Sequence, residues 1–328
     1  MRIIVDAFGG DNAPLEIIKG CAEAADELNV KIILVGSKEK IEKCAGENFI
    51  SLENMEIKDA PDIMIMTDHP REILKEKSNT SMAVGLKSLA EGEGDAFVSA
   101  GSTGAAVIGA SFIVKRIKGI KRPAIATVLP SNSGPFMMLD SGANADCTAE
   151  YLYQFGLMGS IYMNRIMGVE SPRVALANIG TEDTKGDKLR IEAFEKMKEA
   201  SYNFIGNIEA RDIPLGCADV VVADGFTGNV ILKMYEGVAG LLMHNIKMIF
   251  KKNKLTMLSA LMVKGGLKDL KKRMDYSEFG GAPLMGISAP VIKAHGSSNA
   301  KAIKNAIRQA TDYVEKNVIN AIAENIGV

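Results

Sequence analysis

The chain reads as an α/β protein, an α/β/α sandwich on one mostly parallel sheet, and three observations carry that reading. Short apolar or β-branched runs alternate with helical segments along the chain. Several of those runs are apolar on both faces, as a strand covered by helices on each side requires. Glycine-rich turns follow them, at the carboxyl strand ends where open α/β sheets bind their ligands.

In order, the runs are RIIVDAF at 2–8, KIILVG at 31–36, DAFVSA at 95–100, AIATVLP at 124–130, RVALANIG at 173–180 and DVVVADG at 219–225. Their alternation with helical stretches predicts βαβ units. Ser37 is placed to cap a helix over SKEKIEKCAGE, and Asp187 to start one over DKLRIEAFEKMKEA. The residues from Ser298 onward predict one long amphipathic helix. With no proline- or serine-rich linker, residues 1–328 are expected to form a single unit of two lobes sharing a cleft, with a hairpin inserted over 247–275.

Composition excludes several function classes. With 39 basic and 40 acidic residues the net charge is -1, so no global field draws nucleic acid. The four cysteines (Cys21, Cys44, Cys147, Cys217) form no C-x-x-C, and the three histidines do not cluster with them. A reduced, cytoplasmic chain without a metal site is expected. The first residues lead straight into a strand-like run rather than a signal peptide, and no stretch of about 18 apolar residues spans a membrane.

The turn in DAFVSAGSTGAAV at 95–107 is repeated, without gaps, in DVVVADGFTGNVI at 219–231. Gly101, Thr103 and Gly104 match Gly225, Thr227 and Gly228 as G-x-T-G between a strand and a helix. Such a turn lets the backbone approach an anion closely and presents unpaired N–H groups to it. It serves equally as an ordinary capped turn, with the threonine as cap. No G-x-x-x-x-G-K-[ST] and no G-x-G-x-x-G after a strand occur, so an NTPase or dinucleotide site is not expected. Other strand ends supply Gly9, Gly10 and Asp11; Asp140, Gly142 and Asn144; and Glu182, Lys185 and Gly186. Lys185 is placed to carry charge to a phosphate, and Asn229, directly after the second G-x-T-G, to donate to a carbonyl oxygen. Each is also a common turn or cap residue. His295, in KAHGSS, is a site candidate that can equally cap the last helix.

Between Lys247 and Arg273 nine basic residues stand against one acidic residue, Asp269. Leu255, Leu258 and Met262, then Leu267, Leu270 and Met274, recur at i, i+3 and i+7, with Gly265 and Gly266 expected to break the two runs. This is a basic amphipathic hairpin whose apolar faces either enter the core or meet a membrane surface or an acidic protein. Lys251, Lys252, Leu258, Lys264, Lys268, Leu270 and Lys271 are the candidate contact residues. Base-stacking aromatic residues are missing from it.

Eight motifs, in order, resemble the PlsX family, the acyl-carrier-protein:phosphate acyltransferases of bacterial phospholipid synthesis. They are DAFGGD at 6–11, SAGSTGA at 99–105, LDSGAN at 139–144, NIGTEDTKG at 178–186, FIGNIEARD at 204–212, DGFTGNVILK at 224–233, YSEFGGAPL at 276–284 and KAHGSS at 293–298. The chain departs from the usual family residues at Phe8, Asn12 and Ser102. The resemblance implies transfer of a long acyl chain from acyl carrier protein to inorganic phosphate, without a cofactor, giving acyl phosphate for a glycerol-3-phosphate acyltransferase. It also implies a homodimer, a fold similar to isocitrate and isopropylmalate dehydrogenases, and Lys185 and Asn229 as leading catalytic residues. Gly101, Ser102, Thr103, Gly104, Asp140, Asn144, Glu182, Asp224, Thr227, Gly228 and His295 are the expected substrate and phosphate contacts. The alternatives are a short-chain acyl-CoA phosphate acyltransferase and a non-enzymatic scaffold at the inner face of the membrane.

Overall fold

Four strands of the first hundred residues, β1 (Arg2–Asp6), β2 (Lys31–Gly36), β3 (Met55–Asp59) and β4 (Ala96–Ser99), pair in parallel in the order β3-β2-β1-β4. Their lack of polar alternation follows from burial on both faces. Ile3, Val5, Leu34 and Val98 pack into one core with α1 (Leu15–Leu28), while Ile4, Ile33, Val35 and Phe97 pack into a second. Ser37 caps α2 (Lys38–Glu47) as expected, and α3 (Ser81–Ala90) closes the second core through Met82, Ala83, Leu86 and Leu89. The computed structural model describes residues 1–274 and 280–326, with the side chains of residues 269 and 271–274 left aside.

After α4 (Thr103–Gly109) the chain adds β5 (Ala124–Ser131), β6 (Gly134–Leu139), β7 (Val174–Asn178), β8 (Phe204–Glu209) and β9 (Val220–Val222), with α5 (Ala149–Arg165) and α6 (Lys188–Lys198) between them. Met137, Leu139, Val174, Leu176, Val220 and Val222 form a third core with α5, and Met138, Ala175 and Val221 a fourth on the opposite face. Two short strands, β10 (Ala282–Met285) and β11 (Val291–Lys293), join the halves into one eleven-stranded sheet, β3-β2-β1-β4-β11-β10-β5-β6-β9-β7-β8.

β10 runs antiparallel to both β11 and β5, and β5 antiparallel to β6. The β6-β9-β7-β8 half therefore points against the β3-β2-β1-β4 half, so the turns after β4 and after β6 leave oppositely directed strands.

The remaining helices are α7 (Gly225–Lys251), α8 (Lys254–Met262), α9 (Lys264–Met274), α10 (Ala300–Glu315) and α11 (Val318–Asn325). Two expectations need correction. The long C-terminal helix is two helices, broken where Asn317 takes a left-handed φ of 53°, a conformation asparagine tolerates better than most residues. The hairpin breaks at Val263, ahead of Gly265 and Gly266: the Val263 carbonyl accepts from Leu267 N–H, so both glycines sit in the first turn of α9. Among the described residues no helix is long and apolar enough to cross a membrane.

Candidate active site

A cavity of about 960 Å³ lies at the join, at the upper end of the span typical of small-molecule sites. Its polar wall holds Gly10 and Asp11 after β1, Ala100 to Gly104 after β4, and Lys293 to Gly296 at the end of β11. Thr127 of β5, Ser141 to Ala143 after β6, and Asn229 and Lys233 of α7 complete that wall. Ile63 to Met66, Val107, Ile108 and Leu232 form an apolar one.

The turn after β4 is fixed from below by Asp6. Its carboxylate accepts from Ser81 Oγ at 2.6 Å, Ser99 Oγ at 2.7 Å and Phe8 N–H at 3.2 Å, and Ser99 Oγ in turn accepts from Gly101 N–H at 3.0 Å. Burial pushes the Asp6 carboxyl up, and the serine hydroxyls oppose it. Ser102 Oγ accepts from Ala105 N–H and caps α4, whereas Thr103 is exposed at the cavity.

The second G-x-T-G is built differently. Asp224, not the residue matching Ser102, caps α7, accepting from Phe226 N–H at 3.1 Å and Thr227 N–H at 2.9 Å. The helix therefore starts at Gly225, two residues earlier in the motif than α4 does at Thr103. Thr227 Oγ1 donates to Asp224 at 2.8 Å and accepts from Arg190 at 2.9 Å, and Arg190 also pairs with Asp224. Asp224 and Thr227 thus face each other and Arg190, and neither borders the cavity.

Asp140 and Asn144 shape the turn after β6. The buried Asp140 carboxylate accepts from the N–H groups of Ile125, Gly142, Ala143 and Asn144 and from the Asn144 side-chain amide, at 2.7–3.1 Å. Burial pushes its carboxyl up against those donors. This wrap brings Gly142 against Asn229: a Cβ on Gly142 would lie 2.7 Å from Asn229 Nδ2. Gly228 is glycine for a plainer reason, since a Cβ there would meet the Asp140 carbonyl oxygen at 2.0 Å. Asn229 is held at the cavity by these two close approaches.

Lys185 and Glu182 are exposed on the loop after β7 and are not among the cavity residues. Asn178 Nδ2 donates to the Lys185 carbonyl at 3.0 Å and Asn207 Nδ2 to that of Glu182 at 2.8 Å, so side-chain amides shape this loop beside α6. His295 borders the cavity with Nδ1 2.8 Å from Ser297 Oγ; Nδ1 also accepts from Ser297 N–H. Gly101 to Gly104, Asn229 and His295 are therefore brought together, and Lys185, Glu182, Asp224 and Thr227 are not.

Sequence reasoning missed Asp6, Ser141, Thr127 and Lys293. Lys293 is only 8% exposed, and burial holds its ammonium down to about 8 while Asp6 and Asp11 pull it up. A lysine ending a three-residue strand, VIK, inside a KAHGSS turn carried no signal of burial.

Leu255, Leu258 and Met262 of α8 are 77%, 61% and 86% exposed. The apolar stripe of α8 does not enter the core. Lys251, Lys252, Lys264 and Lys268 are exposed beside it and Leu270 is partly so, while the side chain of Lys271 and residues 275–279 lie outside the described residues.

One wide, mostly parallel sheet covered by helices, with a half-polar, half-apolar cavity at its join, places the chain among α/β folds shared with known phosphotransacetylases. A phosphotransacetylase from Streptococcus pyogenes has the same fold, with a TM-score of 0.67 at 17% identity over 96% of this chain and 94% of that one. So does a 4-hydroxythreonine-4-phosphate dehydrogenase from Salmonella typhimurium, described as putative, with a TM-score of 0.55 at 12% identity over 95% and 98%. The dehydrogenase-like sheet expected from sequence is thereby borne out. The chain belongs to the fatty acid synthesis protein family, whose pattern matches residues 1–321, and it is an acyltransferase. The phosphate acyltransferase of Caldanaerobacter subterraneus subsp. tengcongensis is 47% identical over 327 residues, covering 99% of this chain and 97% of that protein.

Proposed function

We propose that the enzyme transfers a long-chain acyl group from acyl carrier protein to inorganic phosphate, releasing acyl phosphate for phospholipid synthesis. The observation that carries the reading is the division of the cavity: the Gly101–Gly104 turn and Asn229 face an apolar wall of Ile63 to Met66, Val107 and Ile108. An anion and an acyl chain fit such a site side by side. Phosphate needs alignment more than activation, so positioning supplies much of the rate. A phosphate oxygen attacks the thioester carbonyl, Asn229 Nδ2 donates to the oxyanion that forms, and the C–S bond then breaks with the electron pair leaving on the carrier thiolate. Lys185, carried over from the family resemblance, is assigned to the incoming anion from its loop after β7.

The test is release of carrier thiol from a long-chain acyl carrier protein, with and without inorganic phosphate, the product being trapped as hydroxamate. Phosphate-dependent release with a trappable product is expected. Release from acyl-CoA alone moves the reading to the short-chain enzyme, and none from either donor overturns it.

The hairpin is proposed as the contact with the anionic inner face of the membrane, where a downstream glycerol-3-phosphate acyltransferase takes up the product. Acyl carrier protein, itself acidic, is the other candidate for its lysines. A cytoplasmic homodimer is proposed as the working form, supported by the exposed apolar row Val230, Met234, Val238 and Leu241 along α7. Burying side chains such as Leu258 in an interface is worth about 1.5–3 kcal/mol each. Leu258→Glu with Leu270→Glu is therefore expected to lower cosedimentation with anionic vesicles at least tenfold while thiol release in solution persists. Unchanged cosedimentation removes the membrane assignment.

A further inference from the structure

Lys293 closes the polar end of the cavity and takes no part in the functions assigned so far. It is 8% exposed, yet it borders the cavity together with Gly101, Thr103 and Gly296. Its register neighbours are Ser99 on β4 and Ala282 on β10, neither charged. The charges that act on it are those of Asp6, at the end of β1, and Asp11, in the loop that follows. Asp6 is engaged by the two serine hydroxyls and Phe8 N–H, and forms no ion pair within 4.0 Å of Lys293 among the described residues. The only hydrogen bond of the Lys293 ammonium among the described residues runs to the carbonyl of its neighbour, Ala294. An ammonium has three donors, so two are left for a ligand.

A buried lysine with unfilled donors is costly unless something anionic meets it. We infer that Lys293 is the cation that binds inorganic phosphate in the cavity, against the Gly101–Thr103 turn. The inference rests on the acyl-transfer reading only in placing phosphate rather than another small oxyanion there. It assigns the phosphate to the β11–β4 side of the site, opposite Asn229 on α7, so that nucleophile and carbonyl are held from different halves of the sheet.

Binding of inorganic phosphate, followed by titration calorimetry without any acyl donor, tests it. Lys293→Met is expected to weaken phosphate 10- to 100-fold, the loss of one charged hydrogen-bonding partner, and Lys293→Arg to recover part of it. In turnover the KM for phosphate rises by more than kcat falls. Unchanged phosphate affinity in a folded Lys293→Met overturns the inference. Should that variant fail to fold, the wild-type enzyme decides: its phosphate affinity falls as pH rises through about 8, where the ammonium loses its proton, and an affinity flat from pH 7 to 9.5 overturns the assignment. Thiol release measured alongside separates this inference from acyl transfer, since Lys293-dependent phosphate binding without thiol release upholds the one and sinks the other.

Discussion

Asp140→Ala is expected to destabilise the protein by about 3–5 kcal/mol and to abolish turnover, although Asp140 does not border the cavity. The carboxylate is fully buried and collects four backbone N–H groups and one side-chain amide. Truncation strands those donors where water does not reach them, and each unsatisfied buried group costs about 1–3 kcal/mol before relaxation. The turn then has no reason to wrap, Gly142 moves from Asn229, and the Asp140 carbonyl that Gly228 approaches is displaced with it. Asp140→Asn separates charge from shape. It fills the same volume but turns an NH₂ toward N–H donors, so it is expected to recover less than half of the lost stability. Chemical denaturation of the three proteins checks this, and a wild-type midpoint for Asp140→Asn would show that packing, not the carboxylate, holds the turn.

How much of this was legible in the sequence depends on range. Runs such as KIILVG, apolar on both faces, state their own burial, and the parallel half-sheet with its helices follows from them. β3, β8, β10 and β11 were missed because MEIKD and FIGNIE alternate apolar with polar or glycine residues and APLM and VIK are short, and only their neighbours make them strands. The reversal of direction at β10, which decides where the cavity lies, was hidden for the same reason. At the site, local signals singled out Gly101 to Gly104 and Asn229, which border the cavity, because a strand-to-helix turn declares itself within a dozen residues. The likeness of the two G-x-T-G turns misled in detail: Asp224 outcompetes any later cap at α7, and Arg190, 37 residues upstream on α6, takes up Thr227 Oγ1. Lys293 and Asp6 lie 287 positions apart and are coupled only through the sheet. No pattern of spacing reports such a pair.

Asn229→Ala is expected to lower kcat by about 10² to 10³, the 2.7–4 kcal/mol typical of one donor to a developing oxyanion, with little change in melting temperature. Its amide rests against Gly142 and is not needed to hold α7, whose first turn is fixed by Asp224, Arg190 and the close contact at Gly228. Because the donor acts on charge that exists only in the transition state, KM for the acyl donor should stay within a few-fold of the wild-type value. Lys185→Ala is the companion measurement. A cation that meets phosphate in every bound state raises KM for phosphate, whereas one that acts only during transfer lowers kcat. Lys185 stands outside the cavity of a single chain, so a severe loss of turnover in Lys185→Ala requires its loop, or that of a second subunit, to reach the site during the reaction. Near-normal turnover in that variant withdraws Lys185 from catalysis and leaves the phosphate to the β11 side of the cavity. Near-normal turnover in Asn229→Ala removes the oxyanion role in the same way.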